Sequence, residues 1–328
     1  MKNLIGITMG DPKGIGPEII AKAWRELNEE EREQIVVYGD RTALAAAASL
    51  AEIQFPPKQT VITSSVTPPI SEISDAEAAR MALSALDASI EDIGAHRIGA
   101  IVTGPVNKQR IRSTKPTFIG HTEYLARAAR VRDPVMMFSA EGFPSLERGP
   151  SQARPICISL VTMHMALSDV PGHITKERIL VTLRRTRQAM EQYFACPDAR
   201  IAVMALNPHA GEGDTLGREE TKIIRPAVEL AKREGMNCEG PLSAEVLFYN
   251  VKEFGYDAVV AMYHDQGLIP IKLLCPERCV HITLGLPYIR TSPGHGTAED
   301  IAWMGRANEK NMLAAIRLTR KLLGWRID

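Results

Sequence analysis

Aromatic residues make up only 5% of the 328 residues, so a platform of stacked rings for single-stranded nucleic acid is not expected. Lys+Arg and Asp+Glu both number 39, which leaves a formal net charge of zero. That balance supplies neither a basic groove for nucleic acid nor a basic face for a membrane, and it confines any anion site to a local cluster. No apolar run is long enough to span a bilayer. The opening Met1-Lys2-Asn3-Leu4-Ile5-Gly6 lacks a signal-peptide pattern. The five cysteines (Cys157, Cys196, Cys238, Cys275 and Cys279) are odd in number and scattered. Cys275 and Cys279 have no second pair to complete a metal site, so buried or idle thiols in a reducing cytoplasm are expected. The Gly-rich turn Gly10-Asp11-Pro12-Lys13-Gly14-Ile15-Gly16 has neither the spacing of a dinucleotide fingerprint nor that of a P-loop.

What is present is ordinary for a soluble globular chain: 45% hydrophobic and 24% charged residues. The length suffices for two domains or one large α/β unit. Strand-like runs at 4–9, 35–40, around Val61, 100–105, 134–138 and 256–262 alternate with helical patterns at 18–27, 41–51, 75–93, 174–194 and 217–235. That alternation predicts an α/β fold with a largely parallel sheet. Gly120-His121-Thr122-Glu123 reads as a helix start, with Thr122 and Glu123 as capping residues. The polar stretch 141–155 carries Gly, Pro, Ser and Arg and is expected to be an exposed loop. No internal repeat is present.

Three histidines share one context. His164 ends an apolar run from Ile156. His209 follows Ile201 to Pro208 and precedes Ala210-Gly211-Glu212-Gly213. His264 lies in Ala261-Met262-Tyr263-His264-Asp265-Gln266-Gly267. Open α/β sheets keep their ligand sites at such strand ends. Three imidazoles converging there suit one divalent cation with coordination positions left for substrate. The spacing alone leaves open three unrelated surface histidines, since no short ligand spacing supports a metal site.

The stretches Asn207-Pro208-His209-Ala210-Gly211-Glu212-Gly213 and Met262-Tyr263-His264-Asp265-Gln266-Gly267 stand in order with Thr8-Met9-Gly10-Asp11-Pro12 and Arg290-Thr291-Ser292. Together they resemble the 4-hydroxythreonine-4-phosphate dehydrogenase family, from about residue 4 to about residue 325. The resemblance implies a two-lobed α/β fold like that of isocitrate and isopropylmalate dehydrogenases, with the active site in the interdomain cleft. The expected lobes are 1–130 with 286–328, and 131–285. It also implies a cytoplasmic homodimer with shared active sites, in which His164 and His209 come from one subunit and His264 from the other. The implied reaction is oxidation of a secondary alcohol of a small phosphorylated hydroxy acid by NAD, aided by a divalent metal, with zinc favoured and Co, Mn or Mg as alternatives. Decarboxylation of the resulting β-keto acid would follow. Candidate substrates are 4-phosphohydroxy-threonine and, from the catabolic branch, 4-phospho-erythronate or -threonate. Other outcomes are a dehydrogenase of an aromatic cis-dihydrodiol carboxylate and a catalytically silent metal-binding homologue.

By the same resemblance, His121, Thr122, Lys272, His281 and Arg290 bind the substrate's anionic groups. Asp265, Glu245 and Lys108 are candidates for proton transfer or orientation. Gly294, His295, Gly296, Thr297, Ala298 and Asp300 form the loop around the adenosine of NAD. The sequence departs from the family's usual pattern at His281, where Asn is usual, and at Glu245, where Asp is usual. It also departs at Pro293-Gly294 and at Lys13. These changes bear on the substrate more than on the metal or the redox chemistry.

Overall fold

The computed structural model describes residues 4–54, 60–65, 69–141, 155–249 and 255–324. The chain divides into two compact units, one of Met1–Pro134 with Leu286–Gly324 and one that contains Val135–Gly285.

The first unit opens with β1 (Ile5–Thr8), α1 (Gly16–Glu26), α2 (Glu29–Glu33), β2 (Ile35–Asp40), α3 (Arg41–Leu50) and β3 (Thr60–Ser64). α4 (Asp75–Gly94), β4 (Ala100–Thr103), α5 (Lys108–Thr114) and α6 (His121–Ala128) follow. The second unit contains β5 (Val135–Ala140), β6 (Ile156–Leu160), α7 (Val170–His173), α8 (Lys176–Phe194), β7 (Ile201–Met204) and α9 (Arg225–Arg233). It continues with β8 (Cys238–Leu242), α10 (Ala244–Tyr249), β9 (Ala258–Ala261), α11 (His264–Leu274) and β10 (Cys279–Leu284). The chain then returns to the first unit with β11 (Ile289–Pro293) and α12 (Lys310–Gly324).

Strands of the first unit run in the order β3-β2-β1-β4-β11, and every pair is parallel. Such strands are covered on both faces, and β1, β2 and β4 are buried throughout. Strands of the second unit run β10-β5-β6-β9-β7-β8. Here β10/β5 and β5/β6 are antiparallel, and the remaining pairs are parallel. The sheet is therefore largely, not wholly, parallel.

Local chemistry accounts for the helix starts. Ser74 and Glu77 form a reciprocal capping box at α4, and Thr175 accepts from Arg178 N at the start of α8. On α8, Ile179, Leu180, Leu183 and Met190 are all buried, each such side chain contributing roughly 1.5–3 kcal/mol of transfer free energy. The expected cap at α6 is corrected. Gly120 is the N-cap, with no side-chain hydrogen bond, and Thr122 and Glu123 lie inside the first turn. The short polar helix α5 has no apolar stripe in the sequence and was not foreseen. The expected helix at 217–235 begins as a π-helical turn, Glu220–Ile224, before α9. Of the 141–155 loop, residues 142–154 lie outside the described residues. All five cysteines are buried and free, and burial pushes the Cys157 thiol up to about 12. Among the described residues no helix is long and apolar enough to cross a membrane.

Candidate active site

In the second unit, β6 and β9 pair in parallel, and the pairing continues past their ends through Val161 N to Ala261 O (2.9 Å) and Thr162 N to Met262 O (3.1 Å). Each strand reaches a histidine two residues later, so adjacent strands deliver His164 and His264 side by side. Their ring centroids lie 5.3 Å apart, with a 43° tilt. Helix α11 begins at His264 and must pack closely on both strands. Gly267 permits this, because a Cβ there would come within 2.9 Å of Leu160 Cδ2 and 3.2 Å of Ala261 Cβ. Gln266 fixes the same corner. It accepts from Met262 N at 2.7 Å and donates to Ala205 O at 2.7 Å. The pair lines a cavity of about 290 Å³ with Met163, Met165, Tyr263 and Asp265.

Asp265 Oδ1 lies 2.6 Å from His264 Nδ1, and Glu245 Oε1 lies 2.9 Å from His209 Nδ1. A carboxylate on Nδ1 sets the ring's orientation and leaves Nε2 available as a ligand. The donor set therefore fits a divalent cation, with imidazoles that suit zinc and cobalt. The structure brings His164 and His264 together in one chain and pairs His209 with Glu245. The described residues of one chain hold no group of three metal-ligand side chains. Lys272 is exposed on α11. His281 is buried on β10, stacked on Phe138 at 5.1 Å.

In the first unit, Arg290 on β11 is only 2% exposed. Its Nη2 donates to Thr103 Oγ1 at 2.6 Å. Desolvation pulls its pKa down to about 10, which leaves the guanidinium charged at neutral pH. Thr122 is buried, and His121 occupies the first position of α6. Lys108 reaches across the start of that helix, since a Cβ on Gly120 would sit 3.3 Å from Lys108 Cε. Burial lowers the Lys108 pKa, against an opposing pull from Glu123. Burial, then Arg290, then Lys108 push His121 well below the usual 6.5. Arg290, a permanent cation, stands with Lys108 and with a His121 ring that burial keeps neutral near the start of α6, donors of the kind an oxyanion takes.

His121 gives this group a pH signature. The unfolded chain takes up its proton at the ordinary value near 6.5, while the folded chain resists protonation. Stability present above that pH is therefore lost as pH falls below it. Chemical denaturation at stepped pH should show this slope in the wild type and a flatter one in His121→Gln. An unchanged slope in the variant would place the proton uptake elsewhere.

The loop after β11 is pinned to the first turn of the chain. Ile15 N donates to Thr297 O at 2.9 Å, and Trp303 Nε1 donates to Pro12 O at 2.9 Å. Gly296 is exposed, and a Cβ on it would meet nothing within 4 Å. This backbone is open to a ligand and ordered beneath. Asp300 is exposed. The carboxylate that holds the loop is its neighbour Glu299, which sequence reasoning missed. Glu299 Oε2 takes Arg110 Nη2 at 2.8 Å, and its Oε1 takes Asn107 Nδ2 at 2.7 Å. Buried Arg110 also holds Asp11 at 2.5 Å and Asp75 at 3.0 Å. Lys13, the unusual residue of the first turn, joins this network through Asp75 at 2.9 Å.

The architecture is shared with the isocitrate dehydrogenase of Methylococcus capsulatus, with a TM-score of 0.54 over 99% of this chain and 86% of that one. At 14% identity that likeness concerns the fold alone, a two-unit α/β architecture. The chain belongs to the family described as pyridoxal phosphate biosynthetic protein PdxA, whose model matches residues 31–319. A 4-hydroxythreonine-4-phosphate dehydrogenase of Geobacter metallireducens is 41% identical over 98% of this chain and 96% of that relative. The solved 4-hydroxythreonine-4-phosphate dehydrogenase of Klebsiella pneumoniae superposes with a TM-score of 0.77 at 32% identity, covering 98% of this chain and 99% of that one. A terephthalate 1,2-cis-dihydrodiol dehydrogenase of Burkholderia xenovorans LB400 is more distant, with a TM-score of 0.63 and 25% identity over 97% of each chain.

Proposed function

We propose that the protein oxidises the secondary alcohol of a small phosphorylated hydroxy acid with NAD⁺ and a divalent cation. 4-Hydroxythreonine 4-phosphate is the first candidate, and a four-carbon 4-phospho sugar acid such as phosphoerythronate or phosphothreonate is the second. The observation that carries this is the buried Arg290 near His121 and Lys108. Phosphate suits the planar fork of donors that a guanidinium presents. The same group argues against an unphosphorylated dihydrodiol carboxylate. NADH formation separates an enzyme from a silent homologue. Lys272 and His281 are further candidates for the substrate's anionic groups.

His164, His209 and His264 are the proposed metal ligands, drawn from two subunits. A bound divalent cation supplies Lewis acidity at the substrate's alcohol. Asp265 and Glu245 hold the ring nitrogens of His264 and His209, which supports an orienting role for both. Lys108, whose ammonium is destabilised by burial, is the proposed carrier of the hydroxyl proton while hydride leaves for NAD⁺. Residues 294–298 with Asp300 are the proposed adenosine loop. Oxidation of an alcohol β to a carboxylate yields a β-keto acid, which then loses CO₂.

A homodimer is supported by apolar side chains left in solvent on two helices of the second unit. Val246 (66% exposed) and Tyr249 (90%) share one side of α10, and Ile269 (58%) and Leu273 (76%) share one side of α11. Single exposed apolar residues are normal, but grouped ones mark association surfaces. α10 carries Glu245 and α11 begins at His264, so a second copy covering these helices would adjoin the proposed ligands.

NADH absorbance tests the proposal. Turnover of a phosphorylated hydroxy acid should vanish on chelation and return with zinc, cobalt, manganese or magnesium. Turnover indifferent to chelation would overturn the metal assignment.

A further inference from the structure

His209 sits in an unusual backbone. Six consecutive residues, His209, Ala210, Gly211, Glu212, Gly213 and Asp214, have φ values of 50°, 53°, 80°, 42°, 65° and 73°. Two are glycines, for which this region is permitted. The other four occupy a left-handed conformation that L side chains disfavour, and such a run persists only where its surroundings over-determine it.

One buried side chain anchors the chain immediately before this run. Glu220 is 1% exposed and opens the π-helical turn before α9. Its Oε1 accepts from Leu206 N and Asn207 N, both at 2.8 Å. Its Oε2 accepts from Asn207 Nδ2 at 2.9 Å. The Gly211 backbone passes so close that a Cβ there would lie 2.8 Å from Oε2. Asn207 Nδ2 also donates to Glu219 Oε2 at 2.7 Å. At the far end of the loop, Thr221 Oγ1 donates to Asp214 Oδ1 at 2.8 Å. Both ends thus hang from one helical turn, which Ile224 anchors in the core at 0% exposure. Three N–H donors converge on the Glu220 carboxylate. Only an acceptor-only group satisfies all of them without adding a donor of its own.

We propose that Glu220 is a positioning residue: its carboxylate holds the left-handed loop 209–214 in the conformation that presents His209 to a divalent cation. The inference rests on His209 being a metal ligand. Glu220 touches neither substrate nor cation and acts through the loop. Groups that orient a ligand from behind are typically worth a factor of about 10–100 in metal affinity. Glu220→Gln keeps the shape but sets an amide donor against the Asn207 donors.

The test is a zinc titration of the full-length apoprotein against a competing chromophoric chelator. It compares the wild type with Glu220→Gln, His209→Ala, the double variant, and Val228→Ala as a control that damages the same helix away from the loop. Glu220→Gln should bind zinc about 10–100-fold more weakly. Val228→Ala should lose thermal stability with zinc affinity unchanged. The double variant should bind no more weakly than His209→Ala alone, because the two changes act through one ligand. If Glu220→Gln fails to fold, Asn207→Ala is read in its place. Wild-type affinity in the Glu220 variant, an equal loss in Val228→Ala, or full additivity in the double variant would each overturn the role of Glu220. If His209→Ala binds zinc as tightly as the wild type, the metal assignment of His209 fails as well, and that result is visible before the Glu220 comparison is made.

Discussion

Replacing either His264 or His164 by alanine will strip the protein of its divalent cation and its turnover while leaving it folded. Neither ring is part of a core cluster, and both stand past the strand ends that position them. Removing a ligand costs more than removing the group behind it, so a loss in metal affinity of at least about a hundredfold is expected. Subunit mixing then distinguishes two ways of sharing the site. The family resemblance assigns His164 and His209 to one subunit and His264 to the other, in which case His164→Ala mixed with His264→Ala regains activity. The 5.3 Å approach of His164 to His264 within one chain favours a different division, with His209 the partner's contribution. On that division His164→Ala mixed with His209→Ala regains activity, because one hybrid site keeps all three ligands. His164→Ala with His264→Ala then stays inactive. Failure of both mixtures, with subunit exchange demonstrated, would sink the shared site.

Arg290→Ala will lower kcat/KM for a phosphorylated substrate with little change in NAD⁺ affinity. Loss of a charge-assisted contact typically costs roughly 1.5–3 kcal/mol, a factor of about ten to a hundred in transition-state binding. Arg290→Lys will restore only part of this, since an ammonium lacks the guanidinium's fork and would also leave Thr103 Oγ1 without its 2.6 Å partner. The variant carries an internal check. Arg290 is one cause of the depressed His121 titration, so His121 in Arg290→Ala should titrate closer to 6.5, as followed by NMR. A fall in kcat/KM without that shift would mean that the two groups do not share one anion site.

Much of this site was legible because it rests on local patterns. Apolar runs ending near His164 and His264 mark two strands, and the pairing of β6 with β9 brings the two rings together. What was not legible depends on contacts distant in sequence. Arg110 draws Asp11, Asp75 and Glu299 together, and nothing near residue 110 announces partners so far away. The role of Glu299 in holding the loop after β11 was not legible for the same reason, since its partners Arg110 and Asn107 are distant in sequence. The cap of α6 was misread because Thr122 and Glu123 have capping chemistry, while Gly120 takes the N-cap position. Glycines at 211 and 213 hinted at a turn, but the left-handed run through His209, Ala210, Glu212 and Asp214 has no signature in residue types that disfavour that region.

The central claim is that a buried cationic group selects a phosphorylated hydroxy acid for NAD⁺-dependent oxidation. It is tested most directly by NADH formation from 4-hydroxythreonine 4-phosphate and from unphosphorylated 4-hydroxythreonine, measured side by side with the same divalent cation. The phosphorylated acid should be turned over with a kcat/KM at least about a hundredfold higher, as the loss of two or more charge-assisted contacts requires. Equal turnover of the two forms would contradict the account.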